Sequence, residues 1–315
     1  MTLPYIDAGN LIALLPPTVI VAALEEALRG GQDPERDSPR LFAPLSAGEF
    51  LLMPAESVKY AGIKVATVAP GNPAQGHPKI QGTYLLLDKG TLAPLAAMDG
   101  AELTLIRTPA VTTLALKHML RLRGVRSAGN VVVFGASLQA DRHIAAIHEV
   151  CGIESLVVVG RRAEAASALA QKWSSRGLSA RTGGVSDVKG ADVVVCATSS
   201  AVPLFDSSLV ADHAVLAAIG SHGLDAREID PVLARRAEVV VEGRASALRE
   251  AGDLIPALSV EQWQERGLAT LADLVNGQFA PASGKPLLYT GVGMSWEDIV
   301  AAGRAFELFT GPPVD

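Results

Sequence analysis

Residues 130–162, NVVVFGASLQADRHIAAIHEVCGIESLVVVGRR, decide the fold. A Val-rich run ends at Gly135, an Ala-rich helical pattern follows to about Val150, and a second Val-rich run ends at Gly160-Arg161-Arg162. Similar runs recur at 191–199, 214–220 and 238–243, each separated from the next by helical or turn-like sequence. Continuous apolar runs are what strands buried on both faces require, and their alternation with helices implies an α/β fold with a Rossmann-type, doubly wound parallel sheet.

The turn Gly135-Ala136-Ser137-Leu138-Gln139-Ala140 stands where a dinucleotide fingerprint belongs, but only its first glycine fits GxGxxG; Ser137 and Ala140 fill the other two places. The strand-turn-helix context restores the reading, because a helix amino terminus still offers backbone amides to a pyrophosphate. Ser137 then either shifts the phosphates or donates its hydroxyl to them. The alternative is a Rossmann-like domain that binds no nucleotide. At the end of the second run an NAD enzyme usually carries an acid for the ribose hydroxyls; here Arg161 and Arg162 stand there, which favours NADP(H), with NAD(H) second. In a chain with 19 Arg and 8 Lys, both could equally be solvated surface arginines.

Upstream, residues 41–106 contain short β-rich runs split by turn signals, preceded by a helix that starts near Pro17-Thr18 and ends at Gly30-Gly31. Asp88-Lys89-Gly90 and Asp99-Gly100 read as tight turns, and the whole as a small α+β unit. Lys64 lies inside the apolar run GIKVATV, where an ammonium is costly without a partner. Arg107 precedes Thr108-Pro109, read as the N-cap and first residue of a helix from Pro109 to about Leu122, so its guanidinium is expected beside free helix amides. Arg40, Lys64 and Arg107 together could clamp a carboxylate; separate structural ion pairs are the other reading. Downstream, LLYTGVGMSWEDIVAAGRAFELF reads as a Gly-rich turn and a helix capped by Ser295, with Asp298 in a capping box.

Composition narrows the function classes. The chain has 315 residues, enough for two domains, and its formal charge of −6 with a pI near 5.6 argues against nucleic acid or an anionic membrane as partner. Mean hydropathy is high at +0.29, yet the longest apolar stretch, Leu11 to Leu24, is short of a span and is broken by Pro16-Pro17. No basic residue precedes it, so it is a poor signal peptide and a cytoplasmic location is expected. Cys151 and Cys196 lack metal-ligand spacing, His143 and His148 do not share a helix face, and His77, His118 and His213 are isolated, so no metal site is expected.

In order along the chain, RLFAPLSAGEFLLMPA, GIKVATVAPGNP, LAAMDGAELTLIRTPAVTTLA, VVVFGASLQADRHI, AIGSHGLDAREID, EAGDL and YTGVGMSWEDIVAA resemble successive motifs of the ornithine cyclodeaminase/mu-crystallin family. The resemblance implies a homodimer with a Rossmann domain at 119–294 inserted into a substrate-binding and dimerisation domain made of 1–118 plus 295–315. It implies that Arg40, Lys64 and Arg107 are the active-site cations, that Gln81 and Thr83 line the pocket, and that the loop from Gly291 to Met294 closes over the nicotinamide, with Gly293 toward the substrate. The cofactor set it implies is Gly135, Ala136, Ser137, Leu138, Gln139, Arg161, Arg162, Thr198, Gly220 and Met294.

One departure bears on the reaction. His222 occupies the place where cyclodeaminases of the family carry a catalytic aspartate, and an imidazole does not supply the same anionic base. Reduction of a cyclic imine asks only that hydride reach the C=N carbon and that the nitrogen be protonated, for which Lys64 and His222 are the candidates. The expected activity is NAD(P)H-dependent reduction of Δ1-pyrroline-2-carboxylate or Δ1-piperideine-2-carboxylate, the small imino or amino acid being the partner. The alternatives are ornithine cyclodeamination, alanine dehydrogenation, and a non-catalytic NADPH- or ligand-binding role like that of mu-crystallin.

Overall fold

The computed structural model describes residues 3–221 and 223–311. Strand β1 (Tyr5–Ile6) leads into α1 (Ala8–Leu14), whose first turn is capped by Asp7 through the Asn10 amide, and α2 (Pro17–Arg29), started by its proline and ended at Gly30. Ile20, Val21, Leu24 and Leu28 recur at helical spacing on the buried side of α2. An antiparallel meander follows: β2 (Leu41–Leu45), β3 (Gly48–Glu56), β4 (Tyr60–Val68), β5 (Ile80–Asp88) and β6 (Pro94–Asp99). With β1 parallel to β6, the sheet order is β1-β6-β5-β4-β3-β2. Asp88 takes the Thr91 amide and hydroxyl in the β5–β6 turn.

Asp99-Gly100 is not a hairpin turn but the start of α3 (Gly100–Leu122), with the Glu102 amide donating to Asp99. Pro109 lies inside this helix, not at its first position, so Arg107 sits two turns in rather than beside free amides. An internal proline costs about 3 kcal/mol. Burial of Leu103, Ile106, Ala110, Val111 and Leu114 along the helix offsets that cost.

Beyond α3 come β7 (Asn130–Phe134), α4 (Leu138–Cys151), β8 (Ser155–Val159), α5 (Ala163–Ser174), β9 (Ser179–Thr182), β10 (Val193–Cys196) and β11 (Val215–Ala218). Then follow α6 (Pro231–Arg236), β12 (Glu238–Val241), α7 (Arg244–Glu250), α8 (Val260–Arg266), β13 (Ala269–Thr270), α9 (Leu271–Val275) and β14 (Leu287–Thr290). All eight strands are parallel, in the order β13-β12-β14-β11-β10-β7-β8-β9. Strand β14, expected only as part of a Gly-rich turn, inserts between β11 and β12. The chain returns through α10 (Ser295–Thr310), which packs on α2, β3 and β4.

Two compact units result, one of residues 1–110 with 294–315 and one of 111–293. The first boundary between them lies inside α3, between Ala110 and Val111, and the second between Gly293 and Met294. Among the described residues no single helix is long and apolar enough to cross a membrane.

Candidate active site

In the first unit, strand alternation decides which side chains meet. Lys64 on β4 pairs with Tyr84 on β5, so both point to the buried face that α10 covers. Gln81 and Thr83 are exposed, and Thr83 pairs with Val65, so both lie on the opposite face from Lys64. The structure does not bring them together with it.

Lys64 is 4% exposed, and its Nζ donates to Asp298 Oδ2 at 2.7 Å and to Thr104 Oγ1 at 3.1 Å. Arg107 Nε donates to Asp298 Oδ1 at 3.2 Å and its Nη1 to Glu297 Oε2 at 2.6 Å. Asp298 therefore is not part of a capping box. The cap role passes to Glu297, whose Oε1 accepts the Met294 amide, and to Asp37, which accepts the Trp296 amide at 2.7 Å; Ser295 is not the cap. Glu297 and Asp298 lie in the first turn of α10, where the helix dipole favours negative charge.

The expected cation clamp is thus a mixed cluster. Arg40, half-buried, and Arg107 both repel the Lys64 ammonium; burial is the larger effect and Asp298 opposes it, leaving the Lys64 pKa lowered to about 8. Burial, together with the Glu297 and Asp298 charges, raises Asp37 to about 7 despite its backbone hydrogen bonds. With Asp37 protonated, three cations face two carboxylates, which leaves the cluster one positive charge for a substrate anion. With Asp37 ionised the charges balance.

In the second unit, strand order reverses between β7 and β10, and ligands of open α/β sheets bind outside the strand ends at such a point. Gly135 leaves β7 at φ +122°, and a Cβ there would stand 2.5 Å from the Ala197 carbonyl oxygen. Only glycine lets the chain turn this close to β10. Ser137 caps α4 by accepting the Ala140 amide, while the amides of Ala136, Ser137, Leu138 and Gln139 meet no protein acceptor among the described residues. Leu138 is exposed, and the buried side-chain oxygen of Gln139 has no hydrogen-bond partner among the described residues. Four open amides at a helix amino terminus fit a dinucleotide phosphate. Arg161 and Arg162, just past β8, are both exposed.

Thr198 and Gly220 are tied by a residue the sequence reading passed over. Glu228, fully buried, accepts the amide and hydroxyl of Thr198 on one oxygen and the amides of Ile219 and Gly220 on the other, at 2.6–3.1 Å. Burial raises it to about 7 against these hydrogen bonds. Asp253 in turn accepts the Glu228 and Ile229 amides. Gly293 donates its amide to Glu242, as does Val292, so the segment after β14 is anchored from β12's end. Met294 is buried. His222 lies outside the described residues. Half-buried Asp37 and the buried acids Glu228, Glu242 and Glu297 had no signal beyond standing near quoted motifs, because only their partners reveal them. Among the described residues no group of His, Cys, Asp and Glu could hold a metal ion.

A doubly wound parallel sheet with an amide-lined glycine turn, interrupting an α+β unit that carries a buried cation cluster, defines a Rossmann-type α/β protein with the parts of a nucleotide-dependent enzyme. The chain belongs to the ornithine cyclodeaminase/mu-crystallin family, whose model matches residues 14–310. It is 33% identical over 308 residues to the Δ1-pyrroline-2-carboxylate/Δ1-piperideine-2-carboxylate reductase of Azospirillum brasilense, covering 96% of this chain and 95% of that one. It is also 33% identical to Δ1-pyrroline-2-carboxylate reductase 1 of Burkholderia multivorans, covering 96% and 94%. Among solved structures, Thermococcus litoralis Δ1-pyrroline-2-carboxylate reductase in complex with NADH and L-proline superposes with a TM-score of 0.88 at 25% identity, covering 98% of each chain. A probable ornithine cyclodeaminase from Bordetella pertussis gives 0.87 at 28%, covering 98% and 97%.

Proposed function

We propose that this protein is an NAD(P)H-dependent reductase of small cyclic imines that carry a carboxylate, of the Δ1-pyrroline-2-carboxylate and Δ1-piperideine-2-carboxylate type. The observation that carries the reading is 33% identity, over nearly the full length of both chains, to a reductase named for those two substrates. The cation cluster supports it: Arg107 and Arg40 attract the substrate carboxylate, and Lys64 holds a proton for the imine nitrogen. Bound NAD(P)H supplies the hydride for the C=N carbon. The Lys64 ammonium has a third N–H beyond those given to Asp298 and Thr104, and that donor is the one proposed to face the imine. Catalysis then rests on placement and charge rather than on a covalent intermediate.

NADPH is the favoured nucleotide, because Arg161 and Arg162 stand exposed past β8 without an acid for the ribose hydroxyls. A homodimer is proposed too, supported by the exposed apolar residues Leu41, Phe42 and Leu45 on the edge strand β2. A cytoplasmic location is part of the same reading. The test is a panel of the two ketimines with NADPH and NADH, followed at 340 nm. Consumption of NADPH with both, yielding proline and pipecolate, is expected. No consumption with either ketimine overturns the proposal, and ornithine conversion to proline and ammonia would replace it with cyclodeamination.

A further inference from the structure

Of the two acids in the first turn of α10, Asp298 is placed unlike Glu297. Each Asp298 oxygen faces a different cation, Oδ2 the Lys64 ammonium at 2.7 Å and Oδ1 the Arg107 Nε at 3.2 Å, and the residue is fully buried. The two cations come from β4 and α3 and repel each other, so the carboxylate between them sets their separation. Glu297 is placed differently, since it joins Arg107 Nη1 to the Met294 amide. Asp37 is engaged with the Trp296 amide. Tyr84, the cross-strand partner of Lys64, has a buried hydroxyl without a hydrogen-bond partner among the described residues.

We propose that Asp298 is a positioning residue for imine reduction, fixing the Lys64 ammonium relative to the Arg107 guanidinium and keeping the proton on Lys64. The proposal rests on the reductase reading above, in which hydride goes to the imine carbon while the nitrogen takes a proton from Lys64 Nζ, and neutral Lys64 recovers its proton from solvent. Arg40, Thr104, Arg107 and Asp298 act on Lys64 directly, with Tyr84 beside it on β5, and Glu297 and Asp37 complete the charged cluster around Arg107 and Asp298. Asp298 is the carboxylate hydrogen-bonded to the ammonium, and its charge favours the protonated form. Burial pulls the other way, so without that carboxylate Lys64 loses its proton at lower pH.

Asp298→Asn keeps the shape and removes the charge. The alkaline limb of kcat/KM for ketimine reduction is expected to move to lower pH by about one unit or more. At pH 7.5 kcat is expected to fall about tenfold or more while KM rises less, because the misplaced proton donor acts in the transition state. Asp298→Glu, which returns the charge one methylene further out, should recover part of the limb shift. A direct readout needs no substrate: the Lys64 resonance of protein labelled with ¹³Cε-lysine, assigned by its loss in Lys64→Arg, should titrate at lower pH in Asp298→Asn. Glu297→Gln is expected to leave that resonance near its wild-type midpoint.

A Lys64 midpoint unchanged in Asp298→Asn overturns the proposal, as does an equal shift in Glu297→Gln, which would assign the effect to the net charge of the helix start. If Asp298→Asn does not fold, Asp298→Ser, which also removes the charge, is titrated instead, and an unmoved Lys64 midpoint has the same force. Should the wild type reduce neither ketimine, the reductase reading fails while the Lys64 titration still decides whether Asp298 holds the proton.

Discussion

The Lys64 ammonium and the Asp298 carboxylate, 234 residues apart in the chain, stand 2.7 Å from one another with both side chains withdrawn from solvent. A buried pair of this kind adds little net stability, because desolvation offsets the attraction, but removing one member strands the other. Lys64→Met is therefore expected to destabilise the protein by about 3 kcal/mol, the low end of the usual range because Arg107 remains beside Asp298. Urea denaturation checks this. Reductase activity should fall below detection in the same variant, and a folded, fully active Lys64→Met would remove Lys64 from the site.

Asp37 makes stability fall with rising pH. Its pKa is about 7 in the fold against an ordinary carboxylate value of 3.8, so its contribution is fully present below about pH 4 and is lost as pH rises through 7. Asp37→Asn, whose amide oxygen can still accept the Trp296 amide, removes that dependence. The melting temperature of the variant should gain on the wild type steadily between pH 4 and pH 7. Parallel curves across that window would contradict the assignment.

Gly135→Ala places a methyl 2.5 Å from the Ala197 carbonyl at a backbone angle that L residues rarely adopt. A loss of about 1–3 kcal/mol is expected from the strained backbone, with more from the clash. Because β7 must swing away from β10 to relieve it, NAD(P)H binding followed by nucleotide fluorescence should weaken more than thermal stability does. Equal nucleotide affinity in variant and wild type would show that the turn does not shape the phosphate site.

Charge reversal at the end of β8 tests nucleotide choice. Arg161→Glu puts a carboxylate where the 2′-phosphate would lie and offers the ribose hydroxyls an acceptor. The ratio of kcat/KM for NADPH over NADH is expected to drop by about a factor of 100 or more, losing one charge-assisted contact and gaining a repulsion. An unchanged ratio would make Arg161 a solvated surface residue.

The sheet of the second unit was legible where local sequence carried it. Five Val- or Ala-rich runs correspond to β7, β8, β10, β11 and β12, because strands buried on both faces need apolar residues throughout. Strand β14 was not: Leu287–Thr290 is four residues long, and its place between β11 and β12 follows from pairing across more than forty residues. Pro109 misled for a related reason. A proline is a good helix start by local preference, yet here the buried face of α3 outweighs that preference and carries the helix through it.

For the candidate site, the residue types alone singled out Lys64, since an ammonium in an apolar strand demands a partner, and Gly135, since a strand-to-helix turn demands a glycine. Neither the partner nor the constraint could be read there. Asp298 reads locally as a capping acid, and only the packing of α10 on β4 turns it toward Lys64 and Arg107. Glu228 reads as one more surface charge until the ends of β10 and β11 bring the amides of Thr198, Ile219 and Gly220 around it. Period and composition fix which faces are buried, because they are properties of neighbouring residues. Which charge meets which, and how far each pKa moves, depends on distances between elements remote in the chain, and those exist only once the sheets and helices have packed.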